Sequence, residues 1–304
     1  MANIPADFVK AAVAITPGFE VSGDPYLGVS GDFDRMGISC GALQWNIGSN
    51  SLQPMVRNVG KTHVLSVMPD FGGQMWQACN GTVSSGLSIV RGWQNGTRLK
   101  PKPKAELGAL IGSNAMRAEQ DKKIGTVATK AFNQATAWAA ARGDSSASKR
   151  LFCWFFDIVT QNGGLEGLTF AKTKNFIDAN QPDRVDDVVC DFLKGQSGTS
   201  GHVTDAKKNA TLWRNSADGE KLEILVMSYL RSHRGPAVAP RRFESQGLDR
   251  HGRRLGERYE VEFRDTRSLA GARRARLALC EGRFLAHVGA KCCIPGLNIE
   301  PEAS

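Results

Sequence analysis

Residues 31–46 read GDFDRMGISCGALQWN, and the short segment GFE at residues 18–20 precedes them. The 27 residues from Glu20 to Asn46 hold four carboxylates, a Gln-Trp-Asn cluster and repeated glycines. Glycine and aspartate are typical of turns, and the short apolar pieces between them predict a hairpin or a small irregular sheet. We expect this stretch to carry the chemistry of the chain because acidic and polar side chains are concentrated in it.

The remainder of the chain is predicted to be mainly helical. Residues 6–16 place apolar side chains at helical spacing ahead of a Pro-Gly break at residues 17–18. The basic run KPKPK at residues 100–104 predicts a stiff connector. The expected fold class is mainly α (α+β) with a small β element. Further helices are predicted over residues 70–79, 105–110, 113–143, 148–160, 184–193 and 220–232.

Composition excludes several classes of protein. A hydrophobic content of 41% and a charged content of 23% are ordinary globular values, so a disordered or fibrous chain is not expected. No apolar run approaches the roughly 18 residues that a membrane-spanning helix needs. The first residues lack the basic stretch of a signal peptide, so we expect synthesis in the cytoplasm and export by another route.

The charge of the chain is positive and unevenly spread. The net charge is +9, and residues 234–304 hold 14 basic against 9 acidic side chains. This favours an anionic partner, but aromatic residues are sparse in the basic segment and no nucleic-acid motif is present, so nucleic acid is not expected. We predict a catalytic region over residues 1–233. Residues 234–304 are then either an appended lobe or closing elements of the same domain.

Cysteine usage does not predict a disulfide framework or a metal site. The seven cysteines are widely spaced, without a Cys-x-x-Cys motif, and no histidine pair has metal-ligand spacing. Reduced, buried thiols are expected, with the adjacent Cys292 and Cys293 as candidates for a disulfide or a dimer contact. A cysteine peptidase with Cys40 as nucleophile and His63 as base is an alternative.

Two carboxylates in different surroundings would suit glycoside hydrolysis, which needs one protonated acid and one ionised base or nucleophile. Glu20 follows Phe19 and an apolar helix, so burial would raise its pKa and suit it as general acid. Asp34 lies among polar residues and glycines and is expected to stay charged as the base, with Asp32 as its competitor. The structural alternative is that Glu20 ends a helix and the aspartates only form turns.

Residues 34–41 match a turn of the form Asp-x-x-Gly-(aromatic or aliphatic)-(Ser/Thr)-x-Gly, and residues 41–46 match Gly-x-Leu-Gln-(aromatic)-Asn. Together they resemble the lysozyme-like superfamily, in particular the chitosanase-like branch of phage endolysins and type VI secretion muramidase effectors. Residues 155–164 resemble a helix that packs beneath the active site in that branch. Residues 273–277 with Gly282 resemble its late arginine-rich helix.

The resemblance implies a two-lobed fold with a small β element beside a cleft. It implies Glu20 as acid and Asp34 as base, an inverting reaction with Ser39 positioning the water, and saccharide contacts from Asp32, Gln44, Trp45 and Asn46. The implied substrate is bacterial peptidoglycan, cut at β-1,4 glycosidic bonds without a cofactor after delivery by a secretion system or by lysis. An immunity protein that occludes the cleft is an implied partner. A lytic transglycosylase, a chitosanase and a non-enzymatic glycan-binding module stay open as alternatives.

Overall fold

The computed structural model describes residues 3–16, 24–180, 185–195, 201–215 and 219–232 of the chain. These residues are mainly helical, with twelve α-helices and five strands of two residues each. The expected class, mainly α with a small β element, is confirmed. The helices are α1 (Ala6–Ile15), α2 (Gln53–Val59), α3 (Lys61–Val67), α4 (Gly72–Asn80), α5 (Val83–Arg91), α6 (Pro101–Gly112), α7 (Asn114–Arg142), α8 (Lys149–Asn162), α9 (Phe170–Ala179), α10 (Val185–Lys194), α11 (Gly201–Trp213) and α12 (Gly219–Ser232), and the strands are β1 (Val29–Ser30), β2 (Ser39–Cys40), β3 (Trp45–Asn46), β4 (Gln94–Asn95) and β5 (Arg98–Leu99).

The described residues divide into two compact units. Those up to Lys174 belong to the first unit and those from Asn175 onward to the second, so the division falls inside α9. It therefore lies within the predicted catalytic region, residues 1–233. The predicted basic segment, residues 234–304, lies outside the described residues.

The core of the first unit forms around α8. Residues 151–159 are at most 8% exposed. The ring of Phe152 lies 5.6 Å from Phe8 of α1, and 6.1 Å from both Phe132 of α7 and Phe156 of α8. Buried aromatic side chains contribute large apolar areas, so this cluster joins α1 to α7 and α8.

The longest helix, α7, was predicted over residues 113–143 and is confirmed with its end signals. The Ser113 side chain accepts a hydrogen bond from the Met116 N–H at the start. Gly143 ends the helix in a left-handed conformation with φ +100°. Both are standard helix-end arrangements, because they satisfy backbone groups that the helix leaves without partners.

The predicted connector at residues 100–104 is wrong, since Pro101 is the first residue of α6 and Lys100 precedes the helix as its N-cap residue. Proline is compatible with a first helical turn because the N–H groups there have no partner inside the helix. Pro103 is buried in the same turn. Lys100, Lys102 and Lys104 are therefore the exposed residues of a helix start.

A three-stranded antiparallel sheet follows α1 along the chain. Strand β2 is central: Cys40 lies opposite Val29 of β1 and opposite Trp45 of β3. The connection between β1 and β2, residues 31–38, carries Asp32 and Asp34. A second hairpin, β4–β5, has Gly96 at φ +60° as the first residue of its two-residue turn, a position that favours glycine.

In the second unit, α10 contacts both α11 and α12. Arg214, directly after α11, pairs with Asp187 and with Asp191 of α10. The Tyr229 ring of α12 lies 5.2 Å from Phe192 of α10. In the part of the chain that the structure describes, no helix is both long enough and apolar enough to cross a membrane.

Candidate functional site

Asp34 lies at the tip of the β1–β2 connection. The Asp32 carbonyl accepts a hydrogen bond of 3.3 Å from the Arg35 N–H, so Phe33 and Asp34 are the central residues of a β-turn. Phe33 is 46% exposed, and Asp34 is half-buried. Arg35 is exposed and has φ +64°, an uncommon conformation for a residue other than glycine. The tip therefore combines a carboxylate, an aromatic ring and a guanidinium group at the surface.

The two oxygens of the Asp34 carboxylate have different surroundings. Oδ1 accepts a 3.0 Å hydrogen bond from the Met36 N–H and so stabilises the turn. Oδ2 receives no hydrogen bond from any residue within the described ranges. One oxygen thus fixes the side chain, and the other is available to a water molecule or a ligand.

Asp32, the competing candidate for the base, is committed to structure. Its Oδ1 accepts a 2.6 Å hydrogen bond from the Gly37 N–H. Its Oδ2 forms an ion pair of 2.7 Å with Arg91 Nε, and the side chain is 13% exposed. Since both Asp32 oxygens have partners, Asp34 is the one of the two aspartates with a carboxylate oxygen left for a ligand within the described ranges.

Glu20, the predicted acid, belongs to residues 17–23, which lie outside the described residues. The backbone on either side of them is fixed. Helix α1 ends at Ile15, and the Thr16 N–H donates to the Ala12 carbonyl at 2.9 Å. On the other side, Asp24 Oδ2 accepts from Arg117 of α7 at 2.6 Å.

The residues around Asp24 form a small charged network on α7. The Tyr26 hydroxyl donates to Asp121 Oδ1 at 2.6 Å, and Arg117 stacks over the Tyr26 ring at 5.3 Å. The hydrogen bond from Arg117 holds the pKa of Asp24 below its usual value. Burial, with the bond to Asp121, raises the pKa of Tyr26 to about 12. We therefore assign Asp24 and Tyr26 an anchoring role.

Ser39 and Gln44 lie on neighbouring parts of the small sheet. Ser39 is 1% exposed, and its hydroxyl has no hydrogen-bond partner within the described part of the chain. Gln44 has φ +53°. Its amide donates to the Gly41 carbonyl at 3.2 Å, and its Oε1 accepts from Ser30 at 3.3 Å. Gln44 as a whole is half-buried.

Trp45 and Asn46, both predicted saccharide contacts, are interior residues in this structure. Trp45 is 9% exposed and Asn46 only 1%. The Asn46 amide donates to the Gln44 carbonyl at 3.2 Å, and its Oδ1 accepts from the Ser49 N–H at 2.8 Å. This geometry gives Asn46 a structural role in the turn after β3 and leaves little of the Trp45 indole for a ligand.

Gln120 of α7, which the sequence reasoning missed, connects this sheet to the helices. It is fully buried. Its Oε1 accepts from the Ala42 N–H at 3.0 Å, and its amide donates to the carbonyls of Tyr26 and Ile111. A β-carbon at Gly41, which has φ +72°, would lie 2.6 Å from that Oε1. No signal in the sequence marks Gln120, since it lies 78 positions beyond Ala42.

The second patch of the resemblance, residues 155–164, forms the end of α8. Asp157 is buried there, and Gly163 adopts φ +75° as the helix ends. Glycine in this position explains why the helix stops. Helix α8 packs against α1 and α7. The third patch, residues 273–277 with Gly282, lies outside the described residues.

Cys40 has the environment of a structural thiol. It is fully buried in β2, and burial raises its pKa well above the ordinary value. A nucleophilic cysteine requires the opposite shift, because the thiolate is the reactive form. His63 Nε2 lies 3.1 Å from the Ser113 hydroxyl. The alternative of a Cys40–His63 peptidase therefore receives no support from these surroundings.

Among the described residues, no group of three or more histidine, cysteine, aspartate or glutamate side chains is arranged to hold a metal ion. Comparisons of the chain with protein-family models, with curated proteins and with solved structures found no match.

Proposed function

We propose that the chain is a peptidoglycan hydrolase of the muramidase type, which cleaves β-1,4 glycosidic bonds by general acid and base catalysis. One observation carries the proposal: Asp34 is held at the tip of a fixed turn with one carboxylate oxygen engaged by the backbone and the other available. This is the geometry that a base needs to orient a water molecule.

The order of elements supports the same proposal. Helix α1 leads into the segment that contains Glu20, the small antiparallel sheet follows with Asp34 in its first connection, and the helices come after it. A lysozyme-like arrangement needs the two carboxylates on either side of a cleft. We propose that fold for the region around the sheet, with Glu20 as acid and Asp34 as base.

In the proposed reaction, Glu20 donates its proton to the leaving glycosidic oxygen. Asp34 removes a proton from a water molecule as that water attacks the anomeric carbon. A carboxyl separation of about 6.5–9.5 Å would leave room for the water and give inversion, whereas about 5–5.5 Å would give retention. Two carboxyl groups and a water molecule suffice for either course: Asp34 acts as the base in inversion, and in retention it acts as the nucleophile of a covalent intermediate that water then hydrolyses.

The proposed saccharide contacts follow from what the surface offers. Gln44 supplies an amide beside the turn, and Phe33, which sequence reasoning did not select, supplies an exposed ring next to Asp34. Aromatic rings commonly provide apolar contact area to ligands. As the resemblance of the sequence motifs implies, delivery to the wall of a target bacterium and an immunity protein that occludes the cleft belong to the same proposal.

Digestion of purified sacculi by the full chain, with mass analysis of the released fragments, tests the function. Fragments ending in reducing N-acetylmuramic acid are expected. Glu20→Gln and Asp34→Asn should each lower the rate by about 10²–10⁴-fold. The matched control is Asp144→Asn, on an exposed loop after α7, which should retain the wild-type rate.

Other outcomes overturn the proposal in distinguishable ways. If wild-type protein binds sacculi without releasing sugar fragments, the chain is a binding module. If Asp34→Asn stays active and the products carry 1,6-anhydro ends, the reaction is that of a lytic transglycosylase with a single acid. If chitosan is cleaved in preference to sacculi, the substrate assignment fails.

A further inference from the structure

The turn that carries Asp34 is held at both ends by one side chain. Gln94, the first residue of β4, is 8% exposed. Its Oε1 accepts from the Asp32 N–H at 2.8 Å, where the turn begins, and its amide donates to the Gly37 carbonyl at 2.8 Å, where the turn ends. A third bond of 3.1 Å joins the amide to the Val90 carbonyl of α5. Gln94 therefore connects the two ends of residues 32–37 and ties them to a helix.

Arg91, at the end of α5, holds the same turn from the outside. Its Nε pairs with Asp32 Oδ2 at 2.7 Å, and its terminal nitrogen donates to the Arg35 carbonyl at 3.1 Å. Arg35, next to Asp34, and Asp32, two positions before it, are thus both bonded to Arg91 of α5. Arg91 is 47% exposed, so we expect its contribution to be smaller than that of the buried Gln94.

Both ends of the turn pack closely against neighbouring elements. A β-carbon at Gly31 would lie 2.1 Å from the Thr97 carbonyl of the β4–β5 hairpin. A β-carbon at Gly37 would lie 2.8 Å from Leu87 and from Val90 of α5. Gly31 therefore packs against the backbone of the β4–β5 hairpin, and Gly37 packs against side chains of α5. Gln94 adds its hydrogen bonds at the same two ends of the turn.

We infer that Gln94 is a positioning residue for Asp34, with Arg91 in a supporting role. This inference rests on the proposed function, since it assigns Gln94 to the same reaction. Gln94 reaches no substrate atom in this argument: it fixes the backbone from which the Asp34 carboxylate projects. Displacement of a catalytic group by about 1 Å can lower a rate by about 10²-fold. Loss of a buried amide that makes two hydrogen bonds to this turn and one to α5 is therefore expected to lower the rate.

The experiment measures kcat and KM of the full chain on soluble, uncrosslinked peptidoglycan strands. Gln94→Leu removes all three hydrogen bonds at similar size and should lower kcat by about 10–100-fold while KM changes less than about threefold. The control is Gln74→Leu, which removes the 2.7 Å hydrogen bond that the Trp93 indole donates to Gln74. Among the described residues, no hydrogen bond joins the Gln74 side chain to the turn. The control should keep the wild-type kcat.

A double-mutant cycle separates positioning from general destabilisation. If Gln94 acts through Asp34, adding Gln94→Leu to Asp34→Asn should cause no further loss of kcat, because the group that it positions is already inactive. Multiplicative losses in the double variant would overturn the inference. An unchanged kcat in Gln94→Leu with active wild-type protein would overturn it too, whereas inactive wild-type protein overturns the proposed function instead.

Two milder variants keep the test decisive if Gln94→Leu does not fold. Gln94→Asn keeps a neutral amide but is one methylene shorter, so it cannot bridge the Asp32 N–H and the Gly37 carbonyl as Gln94 does. Arg91→Lys retains the charge but lacks the fork that reaches both Asp32 and Arg35. Each should lower kcat less than the Leu variant is expected to, and both should be silent in the Asp34→Asn background. If either variant lowers kcat further in the Asp34→Asn background, the positioning role is refuted.

Discussion

Asp32 and Asp34 are two positions apart, yet their carboxylates have different partners. Asp32 bridges the Gly37 N–H and the Arg91 guanidinium, so its charge is neutralised within the turn. Asp34 accepts one backbone hydrogen bond and keeps an oxygen for other use. Asp32 therefore stabilises the turn, and Asp34 projects from it.

We predict that Asp32→Asn destabilises the protein by about 1–3 kcal/mol, because the substitution weakens a charge-assisted hydrogen bond and removes a partner from Arg91. Asp34→Asn should change the free energy of unfolding by less than about 0.5 kcal/mol, since the Asn oxygen still accepts from the Met36 N–H. Denaturant unfolding of both variants measures the difference. A larger loss in Asp34→Asn than in Asp32→Asn would reverse the assignment of roles.

Sequence alone left Asp32 and Asp34 as competitors for a physical reason. The side chains that hold Asp32 in place, Arg91 and Gln94, lie 59 and 62 positions beyond it in the chain. Nothing in the local sequence predicts that they contact the turn. Asn46 shows a related limit. A polar residue of a motif can use its hydrogen bonds within its own turn, as Asn46 Oδ1 does with the Ser49 N–H, and it is then not available to a ligand. The residue types of a candidate site are readable, but their hydrogen-bond partners are set by tertiary structure.

Helix α5 and the β1–β2 connection meet at Gly37. This residue has φ +87°, and an added β-carbon would lie 2.8 Å from side-chain atoms of both Leu87 and Val90. Left-handed backbone and a close side-chain approach each favour glycine. The contact between the turn and α5 therefore depends on the absence of a side chain at this one position.

We expect Gly37→Ala to destabilise the protein by about 1–3 kcal/mol, because it combines backbone strain with overpacking. Gly125→Ala is the matched control: Gly125 lies within α7, and an added β-carbon would meet nothing within 4 Å. Alanine there should stabilise the protein by about 0.5–1 kcal/mol through helix propensity. Thermal or denaturant unfolding compares the two, and equal effects would show that the contact at Gly37 is not needed.

Elements with strong local signals were predicted correctly. Helices α1, α7 and α8 have apolar periodicity with proline, serine or glycine at their ends, and each was predicted near its observed bounds. Helices α3, α5, α9 and α11 went unpredicted. In α3, α5 and α9, few positions are buried to set a pattern. The β4–β5 hairpin was also missed. Its Asn95-Gly96 pair was a usable turn signal.

The network at Asp24 anchors the chain where it leaves the segment with Glu20, and it makes stability depend on pH. The Arg117 hydrogen bond lowers the pKa of Asp24 in the folded protein. An aspartate whose pKa is lowered in the folded protein stabilises the fold at pH values above its unfolded-state pKa, which is about 3.9. That contribution is lost as the pH falls through the folded-state pKa.

We therefore predict that Asp24→Asn is less stable than the wild type at pH 7 and that the two converge in acid. Denaturant unfolding at about pH 7 and below about pH 3 measures both differences. Convergence is expected because the wild-type carboxyl becomes neutral, like the amide, once it is protonated. A stability difference that stays constant over this range would mean that the Arg117–Asp24 pair contributes no charge-dependent stability.

At the scale of the whole molecule, the net charge of +9 is the property most relevant to the proposed substrate. Peptidoglycan strands carry carboxylates on their peptide stems, so attraction between enzyme and wall is expected. Clefts and surfaces of one sign raise the rate of encounter with an oppositely charged partner, and salt weakens that effect. Residues 234–304, with 14 basic and 9 acidic side chains, contribute +5 of this charge. Arg35, beside Asp34, adds a positive charge at the turn.

We predict that the initial rate of sacculus digestion falls about tenfold or more as ionic strength rises from about 0.05 M to about 0.5 M. Sacculi whose carboxylates have been converted to amides should show a lower rate at low salt and a nearly flat salt dependence, because the attraction that salt screens is gone. Neutral chitooligosaccharides serve as a control for direct effects of salt on the chemical step. An equally steep dependence on amidated and untreated sacculi would show that the positive charge acts elsewhere than in the approach to the wall.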